Sequence, residues 1–215
     1  MKTPFKRFIL CLGIVLLSFP TMAQPSDAEK EKAMQDLGGK PVERLFMTLP
    51  KEWKPVRRRK HNGQTLLEFI PSKDTDARWE EKLTVIILHS QSLDAQKVAV
   101  SLSANYTKHC KSHLATEVAN SPEGRYPSHI GYLECRDNSL IGQLPFDVRK
   151  FEVMAQKVLK GADATYIVQR AYHADAPIEN FSKGEKAKEM VSFLVRTRVC
   201  DNRIEEVNCA KFLSK

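Results

Sequence analysis

The chain has 215 residues, 34 basic and 26 acidic, a formal net charge of +8. That length suits one domain of ordinary size with a real core. The mild positive balance permits contact with anionic surfaces without demanding it.

The N-terminus is expected to be an export signal over residues 1–23. Lys2, Lys6 and Arg7 form a positive start, Phe8 to Phe19 is apolar and uncharged, and Thr21-Met22-Ala23 presents small residues for cleavage before Gln24. The apolar run is about a dozen residues, short of the roughly 20 that a membrane span needs. Lipidation at Cys11 is disfavoured by the bulky Phe-Ile-Leu before it. Cleavage would leave 192 residues with 31 basic and 26 acidic side chains, a net charge of +5, and no further stretch of membrane-spanning length. The implied location is the periplasm or the exterior.

Four cysteines would remain: Cys110, Cys135, Cys200 and Cys209. In an oxidising compartment four cysteines make two disulfides, with three possible connectivities. Proximity favours Cys110 with Cys135 and Cys200 with Cys209. Loops of that size stabilise by about 3 kcal/mol each in the chain-entropy model.

Residues 24–41 are polar and end in Gly38-Gly39, which reads as a flexible leader with a short helix over Asp27 to Leu37. A single domain is expected over 42–199, followed by a disulfide-closed tail over 200–215. Arg44 to Leu49 is the first expected strand. Val56 to His61 and Gln64 to Ile70 flank Asn62-Gly63, the strongest hairpin signal in the chain. Lys82 to His89 is nearly all apolar, as a central strand covered on both faces would be.

A helix is expected next, with Ser92 as its N-cap and Asp94 in its first turn. Val98, Leu102, Tyr106, Cys110 and Leu114 form its stripe, and its end is placed near His113 to Thr116. Strands over Arg125 to Arg136, Val148 to Leu159 and Ala164 to Ala174 follow. A last helix over Lys183 to Val199 turns Ala187, Met190, Val191 and Leu194 inward. Runs of consecutive strands separated by single helices predict an α+β fold with a mostly antiparallel sheet packed against two main helices.

Leu49-Pro50-Lys51-Glu52-Trp53, a strand ending Phe69-Ile70-Pro71 and the Leu83 to Ile87 strand, followed by helix, strands and helix, resemble the Mog1/PsbP-like α/β/α sandwich. The resemblance covers about residues 42–199 and implies architecture only, because its members include binding and assembly proteins rather than one enzyme class. Length, signal and cysteine layout also resemble small exported proteins of Gram-negative bacteria.

Candidate chemistry is sparse. His109 and His113 are four apart, so on a helix they share a face and could hold a metal, with His89 or His129 completing the set. Cys110 would point to the sheet and pair with Cys135. No G-x-S-x-G, C-x-x-C or phosphate-binding glycine loop occurs, and nothing implies a cofactor. The sequence therefore favours a non-enzymatic binding or accessory protein, with a metal-binding protein or metal-dependent hydrolase as the alternative. The distinctive surface feature is Arg57-Arg58-Arg59-Lys60-His61, whose charge on both faces marks an edge strand or protruding hairpin. It either blocks edge pairing or docks an acidic protein or anionic envelope component, with Trp53 and Trp79 as aromatic anchors. Nucleic acid is not expected, because no aromatics interleave the charges.

Overall fold

Asn62 and Gly63 both take left-handed backbone, at φ 47° and 72°. Two such residues make the tight turn whose twist matches antiparallel strands. They join β2 (Trp53–His61) to β3 (Gln64–Pro71). In this computed structural model the described residues are 43–121, 126–139, 149–204 and 209, the side chains of 119–121 excepted. The expected signal, the leader and most of the tail lie outside them.

The remaining strands are β1 (Glu43–Phe46), β4 (Glu81–His89), β5 (His113–Ser121), β6 (Ser128–Cys135), β7 (Phe151–Lys160), β8 (Ala164–Ala174) and β9 (Arg198–Asp201). Among the described residues, helices α1 (Ala95–Thr107) and α2 (Glu185–Arg196) and a 3₁₀ turn at Phe181–Lys183 join the strands in an α+β fold. Seven strands form one sheet in the order β2-β3-β4-β8-β7-β6-β5. Every pairing in it is antiparallel. β1 and β9 form a separate two-stranded ribbon.

The helices cover opposite faces of the large sheet. Met190, Phe193 and Leu194 of α2 pack with Leu83, Val85 and Ile87 of β4, Tyr166 and Val168 of β8 and Phe151 of β7. Ala95 and Ala99 of α1 pack with Val158 and Ile167 on the other face. Fully burying side chains such as Met190 and Leu194 contributes about 1.5–3 kcal/mol each. Lys157 lies on the α2 face, fully buried, and its amine donates to the carbonyls of Val195 (3.4 Å) and Thr197 (2.8 Å). A cation there suits the negative end of the helix.

The structure corrects several boundaries. Asp94, not Ser92, caps α1: its carboxylate accepts from the Lys97 amide at 2.8 Å, whereas Ser92 Oγ donates to the Gly161 carbonyl. α1 stops at Thr107 rather than near His113 to Thr116. The Lys111 amide then bonds the Asp137 carbonyl and the Arg136 amide bonds the Ser112 carbonyl. These bonds draw the chain onto the sheet, where His113–Ser121 forms the outer strand beyond β6. α2 ends at Arg196, where Thr197 turns extended, so Arg198–Asp201 can pair with β1.

Candidate functional site

Ending α1 at Thr107 separates the two histidines. His109 lies in the turn after the helix and His113 opens β5, so no helix face is shared. His89 sits at the end of β4, its Nε2 at 2.8 Å from Thr65 Oγ1, and burial together with nearby Lys60 holds its pKa below the ordinary value. His129 faces Glu117 at 3.8 Å. Among the described residues no three His, Cys, Asp or Glu side chains gather to hold a metal ion. The helix geometry that motivated a site at His109 and His113 does not exist.

The cysteines pair in the favoured way. Cys110 joins Cys135 with Cα atoms 5.6 Å apart, and Cys200 joins Cys209 at 4.9 Å. Cys110 is not on the helix but in the following turn, bridged to Asn138. The first disulfide therefore ties that turn to β6, and the second ties the tail to β9.

The basic run lies on β2, an edge of the seven-stranded sheet. Register places Arg57 opposite Glu68, Arg58 opposite Leu67, Arg59 opposite Leu66 and Lys60 opposite Thr65. Alternation then sends Arg58 and Lys60 to the α2 side, and Arg57, Arg59 and His61 to the α1 side. Arg57 is engaged internally, 2.8 Å from Glu68 and 3.1 Å from Asp76. Arg58, Arg59, Lys60 and His61 are exposed. Pro55 and a register shift between Pro55 and Arg57 further blunt this edge for strand pairing.

Both tryptophans, expected from the sequence as surface anchors, are buried, at 7% and 9% exposure. Trp79 stacks on His173 with centroids 3.8 Å apart and carries the Lys82 amine 4.3 Å from its ring. Trp53 packs under the Arg170 guanidinium. Arg170 in turn bonds Glu81 at 2.8 Å and Glu189 at 2.6 Å, and Lys186 bridges the same two carboxylates. Burial opposes the Lys186 charge, but its bonds to Glu81 and Glu189 outweigh that and raise its pKa. The network clamps α2 to the sheet.

A second polar cluster was not legible in the sequence. Glu43, fully buried, accepts from the amides of Ala162 (2.5 Å) and Asp163 (3.1 Å) and from the Tyr166 hydroxyl (3.0 Å). Its cross-strand partner Asp201 accepts from Tyr126 at 2.6 Å and from Arg203 at 2.6–3.1 Å. The Arg203 hydrogen bonds, with Tyr126 adding to them, hold the Asp201 carboxyl down to about 2. Burial, then the bond to Asp201, pushes the Tyr126 hydroxyl up. These groups satisfy one another, and the cluster locks the β1–β9 ribbon onto the β7–β8 turn.

The β5 edge differs from the β2 edge. Between it and α2 runs a groove of about 570 Å³, lined from the sheet by Leu114, Val118 and Tyr132 and from the helix by Ala187, Val191 and Val195.

No family model matches the chain, and comparison with curated proteins found no match. Among solved structures it is similar to the Ran-binding protein Mog1p of Saccharomyces cerevisiae, at 12% identity over 74% of this chain and 92% of that one, TM-score 0.43. The likeness is one of fold, and it is distant. LpqN of Mycobacterium tuberculosis, described as involved in cell envelope biogenesis, gives 11% identity over 82% and 98%, TM-score 0.42. Human STARD10 gives 10% over 81% of each chain, TM-score 0.27. No role follows from these distant likenesses; the α+β architecture expected from the sequence stands on the strand order and the two described helices themselves.

Proposed function

We propose that the chain is an exported, non-enzymatic binding domain that docks an anionic partner through the β2–β3 hairpin. The partner is an acidic protein or an anionic component of the cell envelope. The observation that carries this reading is that Arg58 and Lys60 on one face and Arg59 and His61 on the other stand exposed on an outer strand whose base is fixed by the Arg57–Glu68 and Arg57–Asp76 ion pairs. Three exposed cations, Arg58, Arg59 and Lys60, at the edge of one hairpin present a positive field, which steers association and weakens with salt. Strand protection alone is already supplied by Pro55 and the bulge.

Export is supported by the pattern of residues 1–23 and by two disulfides, which persist in oxidising compartments. On this reading the mature chain starts at Gln24 and is periplasmic or secreted. No described helix is long and apolar enough to cross a membrane.

The test replaces Arg58, Arg59 and Lys60 with serine in the mature protein and keeps Arg57. Far-UV circular dichroism and Tm should stay as in the wild type, since these side chains are exposed. Retention on an anionic matrix should weaken, and the captured partner should be lost. Unchanged capture by the folded variant would refute the assignment. Intact-mass analysis of the exported protein should show a chain starting at Gln24 without reactive thiols.

A further inference from the structure

Three of the six large hydrophobic side chains that stand exposed among the described residues, Leu114 (44%), Val118 (42%) and Val195 (42%), converge on the groove between β5 and α2. Scattered exposed hydrophobes need no explanation, but a concave cluster marks a site. Its volume, about 570 Å³, falls within the range of small-molecule sites. The two walls match in length. Leu114 to Val118 spans about 14 Å of strand, and Ala187 to Val195 about 12 Å of helix.

The charge in the groove is one-sided. Lys188 lines it, and its ion pair with Glu185 joins two well-exposed side chains, so water and other anions compete for it easily. Ser192 also lines it and accepts from Arg196 Nη1 at 3.1 Å, which brings a guanidinium to the rim. The nearby Glu134 carboxylate is buried and engaged by Arg136 at 2.7 Å. An apolar groove with cations on its helical side is complementary to a linear alkyl chain ending in an anion.

We propose that this groove binds a single monomeric fatty carboxylate, with the alkyl chain lying between Leu114, Val118, Val191 and Val195 and the carboxylate at Lys188, the cation that itself lines the groove. A concave trough with both walls present takes one chain, not the face of a bilayer. The inference does not depend on the basic hairpin, which lies at the opposite edge of the sheet.

The test measures displacement of fluorescent cis-parinarate by dodecanoate, below its micellar concentration, from the mature protein. Saturable one-site binding is expected. Leu114→Glu and Val195→Glu, both at exposed positions and so compatible with folding, should each weaken it about tenfold or more by placing charge on the alkyl path. Lys188→Glu should weaken dodecanoate by a similar factor. The hairpin variant should bind dodecanoate as the wild type does. The proposal falls if no saturable binding occurs, if the wall variants bind unchanged, or if the only association is with phosphatidylglycerol vesicles.

Discussion

A β-carbon on Gly161 would collide with the Glu43 carboxylate and lie 2.9 Å from the Ala164 carbonyl oxygen. The absent side chain is what admits a buried carboxylate to cap the Ala162 and Asp163 amides. Gly161→Ala should therefore cost about 1–3 kcal/mol through overpacking. The cost should shrink in a Glu43→Ala background, because the first of the two collisions is then gone. Equal costs in both backgrounds, measured by denaturant unfolding, would place the strain elsewhere. Asp201 adds a pH dependence. Its folded pKa of about 2 lies below the ordinary value of 3.8, so its stabilisation is complete above about pH 4 and is lost as pH falls towards 2. Asp201→Asn should be less stable at neutral pH and lose less stability between pH 4 and 2 than the wild type. Parallel pH profiles for the two proteins would contradict this. Nothing in the sequence marked these residues: Glu43 and Asp201 are 158 positions apart and meet only because β9 returns to β1.

At the scale of elements, what could be read locally was read well. Asn62-Gly63 specifies its own turn, and the strand expected over Ala164 to Ala174 has the same bounds as β8. The failures came where tertiary bonds end an element without a local signal. No glycine or proline lies between Thr107 and His113, so the four-residue stripe of α1 ran on through Cys110 to Leu114. The period of two in Leu114, Thr116 and Val118 is equally present, and pairing with β6 decides for the strand. That change dissolves the histidine pair and explains the Cys110–Cys135 bridge, which closes a turn onto the sheet rather than a helix face. Its loop of 25 residues should contribute about 3 kcal/mol. The Cys110→Ser, Cys135→Ser double variant should lose about that much in urea unfolding while keeping its far-UV spectrum. A loss below about 1 kcal/mol would mean that the turn is already fixed by the Cys110–Asn138 bridge and the Lys111 and Arg136 amide bonds.

The whole molecule is a helix-covered sheet with two unlike edges. The class was legible because consecutive strands separated by single helices allow few other solutions. The layout of surfaces was not, because a hydrophobic residue on an outer strand reads in sequence like one in the core. Leu114 and Val118 were indistinguishable from buried positions, and Trp53 and Trp79 from surface anchors. The β2 edge carries Pro55, a bulge and exposed cations; the β5 edge carries an apolar groove. The proposed function requires the first of these to be a docking surface. Its most direct test is quantitative cross-linked capture by the mature protein and by its Arg58→Ser, Arg59→Ser, Lys60→Ser variant, at low and high salt, after both are shown to be folded. The wild type should recover a partner at low salt that fades with added salt and is missing from the variant. Equal recovery by both proteins at low salt would contradict it.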